Sequence, residues 1–269
     1  MRTCSVFFGV AVAAGLSLAG PAFALDPQSI NTNTFTSPQE ALQEGLQLYR
    51  QGHKQSAFDA LNFAAEKGDP VAQWQAAKML GEGDGIKRDD YKAFEMLSDL
   101  ADAHAEDSPG EPSSRLVSRA FVKLGKYYQS GIPNSEVKAD PDRARQMYNH
   151  AATIYGDSDA QYDLARMYYD GEGGERDAVQ AARWSKLSAD KGNIDAQALL
   201  GHLLFEGDDG IDRQPVLGLM YLTIASERAR PTDRWIFEMQ EEAVSVATEN
   251  ERRTAMALAD DWFAKSKKN

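Results

Sequence analysis

Gly81-Glu82-Gly83-Asp84-Gly85 has the glycine spacing of a loop that wraps a phosphate, where small residues let backbone amides approach the anion. Such a loop needs a Gly-Lys-Ser/Thr ending or a strand before it, and this stretch has neither, so it reads as a turn between helices. Asp208-Asp209-Gly210-Ile211-Asp212 gathers carboxylates that attract a hard cation. It lacks the alternating ligands and terminal bidentate glutamate of a calcium loop. His53, His104, His150 and His202 have none of the spacings that put two zinc ligands on one helix face. Ser185 and Ser245 sit in helical sequence without the Gly-x-Ser-x-Gly elbow that exposes a hydrolase nucleophile. Carboxylates are abundant, but sequence does not separate an acid/base pair from a solvated face. The reading is of a non-enzyme with no catalytic residue, no cofactor and no metal ligand.

The elements that carry these residues repeat. Ala72-Gln73-Trp74 through Met79-Leu80, then Gly83 and Gly85, returns as Ala160-Gln161-Tyr162 through Met167-Tyr168, then Gly171 and Gly173. Weaker copies start at Ala120 and Ala196; from Ala120 to Ala160 and on to Ala196 the steps are 40 and 36 residues, the length of two antiparallel helices and two turns, while the step from Ala72 to Ala120 is 48. In each copy a first helix carries a bulky residue near its end (Leu80, Tyr128, Tyr168, Leu204). It is closed by Gly83, Gly131, Gly171 or Gly207, because the residue past the last turn often takes a positive φ that only glycine enters freely. Second helices follow, with stripes expected at Phe94, Leu97 and Leu100 beside Met96, at Met147, Tyr148, Ala151 and Ala152, at Trp184, Leu187 and Ser188, and at Met220, Tyr221 and Ile224. A shorter, weaker unit from Ala41 to Lys67 leads the array.

The pattern Ala-Gln-aromatic, a bulky residue and Gly-x-Gly, followed by Ala-x-x-Trp/Met and a later alanine, resembles the Sel1-like repeat, a relative of the tetratricopeptide repeat. It is clearest over Ala72 to Ala101 and Ala160 to Gly192. The copy from Ala120 departs at Ile132-Pro133-Asn134, and the copy from Ala196 places Gly218 inside its second helix. The resemblance implies an all-α fold, an α-solenoid of helix-pair repeats with a C-terminal helical cap, and makes binding rather than catalysis the expected activity.

Arg2, an apolar run from Val6 to Ala19 and Ala22-Phe23-Ala24 form a signal peptide expected to be cleaved after Ala24. The apolar run is shorter than the roughly 20 residues of a membrane span. The only cysteine, Cys4, lies in that segment, so the exported form is expected to hold no disulfide and no thiolate site. The net charge of −12 becomes one unit more negative when Arg2 is lost. That argues against binding nucleic-acid phosphates or anionic lipid, both of which need basic surface.

The expected organisation is a signal peptide at 1–24, a flexible lead at 25–38, a repeat solenoid at 39–230 and capping helices at 231–269. An irregular acidic segment from Asp102 to Ser114 separates the second and third units. In the cap, Trp235, Ile236, Met239, Ala243, Val246 and Ala247 continue at helical spacing, and a last helix holds Met256, Leu258, Ala259, Trp262 and Phe263. The polar positions expected to meet a partner are on first helices: Gln73, Lys78, Lys126, Gln161, Arg166, Gln197 and His202. Among exported Sel1-like proteins the chain resembles periplasmic negative regulators of exopolysaccharide production. That resemblance implies a periplasmic protein that holds the sensing domain of a membrane histidine kinase inactive and is removed by a periplasmic protease. A scaffold or adaptor of the envelope with no signalling role is the alternative.

Overall fold

The structure, a computed structural model, describes residues 35–105 and 108–266. The expected signal peptide, the cleavage after Ala24 and most of the lead lie outside the described residues. Twelve helices follow one another among the described residues: α1 (Pro38–Gln51), α2 (Lys54–Glu66), α3 (Pro70–Glu82), α4 (Asp90–Ala103), α5 (Ser114–Ser130), α6 (Pro141–Ile154), α7 (Ser158–Asp170), α8 (Ala178–Ala189), α9 (Ile194–Glu206), α10 (Pro215–Arg228), α11 (Arg234–Val246) and α12 (Glu249–Ser266). The described residues include no strand, only one isolated bridge between Asp208 and Ile211. None of the described helices is long and apolar enough to cross a membrane.

Local chemistry sets the helix ends. Asp69, Asp89, Asp140, Asp157, Asp177 and Asn193 accept backbone amides at the starts of α3, α4, α6, α7, α8 and α9, satisfying donors that the first turn leaves unpaired. Proline occupies the first turn of α1, α3, α6 and α10, where its missing N–H costs nothing. The glycines at the ends of first helices divide into two kinds. Gly83 and Gly171 are left-handed (φ 66, ψ 33 and φ 72, ψ 24). Gly131 and Gly207 combine positive φ with extended ψ (φ 70, ψ 170 and φ 75, ψ 163), a region essentially reserved for glycine. These are the two weaker copies, so their divergence in sequence is also a divergence in how the turn leaves the helix.

Each helix packs on its sequence neighbours from α1 through α10, so the apolar core is strung along the stack, one large cluster from Ala41 to Met167 followed by smaller ones toward the cap, instead of closing into a globule. Leu61, Met79, Leu100, Tyr148, Leu164 and Met167 are fully buried in the central part. The α9–α10 pair comes closest at two glycines. A Cβ on Gly201 would lie 2.8 Å from Leu222 Cγ, and one on Gly218 would lie 2.4 Å from the Phe205 nitrogen. Gly218, which departs from the repeat pattern, is thus what allows this contact. Beyond it, Ala243, Ala247 and Ala255 of the last two helices and their junction cover Phe205, Leu219 and Leu222.

Three expectations need correction. Leu187, read as part of an inward stripe, is 39% exposed, because α8 turns Ala181, Ser185, Ser188 and Ala189 inward and a residue two positions after Ser185 sits about 200° around the helix. Val246, Met256 and Leu258 are likewise exposed, and Ala255 and Ala259 are the inner residues of α12. Lastly, the irregular segment expected from Asp102 to Ser114 is shorter, because α4 continues through Ala103 and α5 starts at Ser114.

Candidate functional site

The first helices of successive units also meet one another, α3 against α5 and α7 against α9, which puts them on the inner side of the stack. Between α3 and α5 this face opens into a cleft of about 190 Å³. Trp74, Leu97 and Tyr127 supply its apolar lining, and Lys78, Lys123 and Lys126 are among its cations. Arg119 adds a guanidinium 5.9 Å from the Trp74 ring, close enough for attraction to the ring face. Lys78 pairs weakly with Glu82 at 4.0 Å, while Lys123 is exposed on α5. The lining also holds Glu82 and the Arg88–Asp90 pair at 2.9 Å, so four cations outnumber two carboxylates around an aromatic floor in a chain of net charge −12.

Asp163 of α7 closes the patch on one side. Its Oδ2 is 3.6 Å from Lys126 Nζ, too far for a hydrogen bond, and no other partner reaches that oxygen among the described residues. Burial therefore pushes its carboxyl up to about 6 despite the lysine. Beside it, burial lifts the Tyr162 hydroxyl to about 12.

The seven residues expected to meet a partner do not form one surface. Lys78 and Lys126 are brought together in the cleft. Arg166 pairs with Asp170 at 2.9 Å, and His202 Nε2 lies 3.2 Å from the Tyr169 hydroxyl, both further along the array. The three glutamines are buried, with exposures of 7% for Gln73, 4% for Gln161 and 0% for Gln197. Two of them join repeats internally. Gln161 donates to the Ala152 carbonyl and accepts from Lys191, and Gln197 donates to the Ala189 carbonyl and accepts from Arg228. Those two are corrected to structural residues, because a side chain with both amide ends engaged inside the stack offers nothing to a partner. Sequence reasoning passed over Trp74, Lys123, Tyr127 and Asp163. The available signal was the aromatic that follows each glutamine, Trp74 and Tyr162, but periodicity does not show which face of the first helix stays open.

The other candidate chemistries resolve into structure. Gly85 and Gly173 take positive φ, and a Cβ on either would collide with the preceding unit, at Lys54 and at the Pro141 carbonyl. The repeated Gly-x-Gly is thus a close-packed turn. Asp208 in the acidic loop is held by Arg176, which keeps its carboxyl below the usual range. His150 is packed 4.2 Å from the Phe121 ring, and burial lowers its pKa. No group of His, Cys, Asp or Glu among the described residues could hold a metal ion.

Stacked helix pairs with glycine-closed first helices and a first-helix cleft define the class, and the chain belongs to the Sel1 repeat family, whose repeat matches residues 70–103, 120–153, 158–193 and 194–229. This is a family of regulators and adaptors. The likeness to particular proteins extends over nearly the whole chain. The exopolysaccharide production negative regulator of Rhizobium meliloti (strain 1021) is 36% identical over 254 residues, covering 94% of this chain and 92% of that protein. The protein of the same name from Rhizobium leguminosarum bv. viciae is 36% identical over 255 residues, with the same coverage. Among solved structures, a Sel1 repeat protein from Oxalobacter formigenes superposes with a TM-score of 0.60 at 24% identity, covering 84% of this chain and 88% of that one. A protective antigen of uropathogenic Escherichia coli with an SLR fold gives 0.51 at 20% identity, covering 85% and 54%.

Proposed function

We propose that this protein is an exported negative regulator of exopolysaccharide synthesis that acts by binding, in the periplasm, the sensing domain of a membrane histidine kinase. The observation that carries the reading is the 36% identity to two proteins named for that regulation, sustained over 94% of the chain. Such an extent includes the cap as well as the repeats. The contact surface would be the cleft between α3 and α5, where exposed lysines surround Trp74 and Tyr127, an arrangement suited to an acidic segment with an apolar anchor. Holding the kinase domain would keep the kinase inactive, and proteolysis of the regulator would release it.

Calorimetric titration of the protein into the isolated periplasmic domain of the host kinase that controls exopolysaccharide synthesis tests this. Saturable binding is expected, weakening as salt is raised because rim charges are screened. The double reversal Lys123→Glu/Lys126→Glu should weaken it at least tenfold while leaving the helical signal intact. Absence of binding with both partners folded would sink the kinase reading and favour an envelope scaffold.

A further inference from the structure

The three buried glutamines allow one unit of the array to be compared with two others. At Gln161, the ammonium of Lys191 bonds to Gln161 Oε1 at 3.1 Å and to the Gly156 carbonyl. At Gln197, the guanidinium of Arg228 bonds to Gln197 Oε1 at 3.0 Å and to the Gly192 carbonyl at 3.2 Å. In both places a cation from the end of the unit's second helix sits between a buried amide oxygen and the carbonyl of the glycine before the first helix. The unit starting at Ala120 has no such arrangement, because Phe121 stands in place of the glutamine.

The unit starting at Ala72 has the glutamine and the glycine, Gln73 and Gly68, but not the cation. Counted from the glutamine, the place of Lys191 falls here on Ala103 and that of Arg228 on His104. Gln73 is 7% exposed, yet its Oε1 meets no donor among the described residues. The glycines report the same difference from the other side. A Cβ on Gly156 would meet Lys191 Nζ at 3.2 Å and one on Gly192 would meet Arg228 at 3.7 Å, whereas one on Gly68 would meet nothing within 4 Å. Leaving a buried acceptor unpaired costs on the order of 1–3 kcal/mol, so a donor that reached it would be held.

The surroundings say which donor. Gln73 lines a cleft of about 470 Å³ between α2 and α4, together with Glu66, Glu95, Asp99 and Phe94. Asn62 in the same cleft presents a second buried oxygen without a partner, Oδ1, while its amide donates to Glu66. Among the described residues that line it the cation is Lys92, which lies over the Phe58 ring of α2 at 5.5 Å. Elsewhere in the chain, the basic residues outside the described part are Arg2, in the expected signal peptide, and Lys267 and Lys268, directly after the last helix.

We infer that Gln73 and Gly68 form a docking seat for an arginine or lysine side chain of a bound protein, which takes the position that Lys191 and Arg228 take within this chain. The seat lies apart from the α3–α5 cleft, so a partner would be gripped by basic groups on one side and would insert a basic group on the other. The inference rests on the reading that the protein binds another protein, but not on which one.

Titration of the ¹⁵N-labelled protein with N-acetyl-arginine amide, followed by NMR at the Gly68 backbone amide and the Gln73 side-chain amide, tests the seat without any kinase domain. Saturable shifts at both are expected, with occupancy at least tenfold lower for the neutral citrulline analogue at equal concentration. Ala103→Lys should abolish the response by supplying the ammonium from within, and Gln73→Leu should abolish it by removing the acceptor. Equal responses to the two probes, no shift at Gly68 and Gln73, or an unchanged response in Ala103→Lys would each overturn the proposal. Since no kinase is present, a failure here and a failure of the kinase titration are separate results.

Discussion

Asp163 shows how one side chain on the first-helix face links stability to pH. Its carboxyl is raised from the usual 3.8 to about 6 because burial penalises the charge more than Lys126 compensates. The folded protein therefore holds this proton more tightly than the unfolded chain, and stability falls as pH rises from 3.8 to about 6. Asp163→Asn should remove that slope and stabilise the protein at neutral pH by about 1–2 kcal/mol, seen as a melting temperature higher by about 2–6 °C. A variant that keeps the wild-type slope across that window would show that the proton is bound elsewhere. The residue scale was only partly legible in the sequence. Carboxylates are plentiful, and what distinguishes Asp163 is its distance to Lys126 and its burial, which depend on how α7 is set beside α5.

Between elements, the closest contact is governed by absent side chains. Gly218 faces the Phe205 backbone at a distance that admits no Cβ. By helix propensity Gly218→Ala should gain about 1 kcal/mol. The collision should outweigh that, with a net loss of about 1–3 kcal/mol, measurable by urea denaturation. Gly110→Ala, where a Cβ meets nothing within 4 Å, should change stability by less than about 0.5 kcal/mol. The glycines that end first helices were readable from their spacing, because a positive φ at a helix end is a local requirement. The inward faces of α8 and α12 were not. Ser185, Ser188 and Ala255 are buried while Leu187 and Met256 are exposed, since a tight contact selects for small residues and overrides the hydrophobic pattern.

A linear stack has two ends where apolar surface must be covered, and here the C-terminal end is covered by α11 and α12 over Phe205, Leu219 and Leu222. Deleting residues 231–269 should expose that surface and give a protein that self-associates and unfolds less cooperatively. Sedimentation and thermal melts of the truncated chain would check this, and a monomer with an unchanged melting curve would refute it. Partner binding also belongs to this scale. The α3–α5 cleft and the acidic one both draw on α3 and α4, through Trp74 and Leu97 in the first and Gln73 and Met96 in the second, so their joint use needs this helix pair to be intact.

By itself the sequence determined that this protein is a run of helix pairs and which glycines close the first helices, because a helix-ending glycine acts locally and recurs with the repeat. It also carried the family, since those residues are the repeat. Only the tertiary structure decided which side of each helix faces a neighbour. Gln73, Gln161 and Gln197 occupy the same place in the repeat pattern, yet two are engaged by Lys191 and Arg228 and one is not. The difference arises because a hydrogen bond depends on the arrival of a group about 30 residues away in the chain, and arrival is a property of the packed stack.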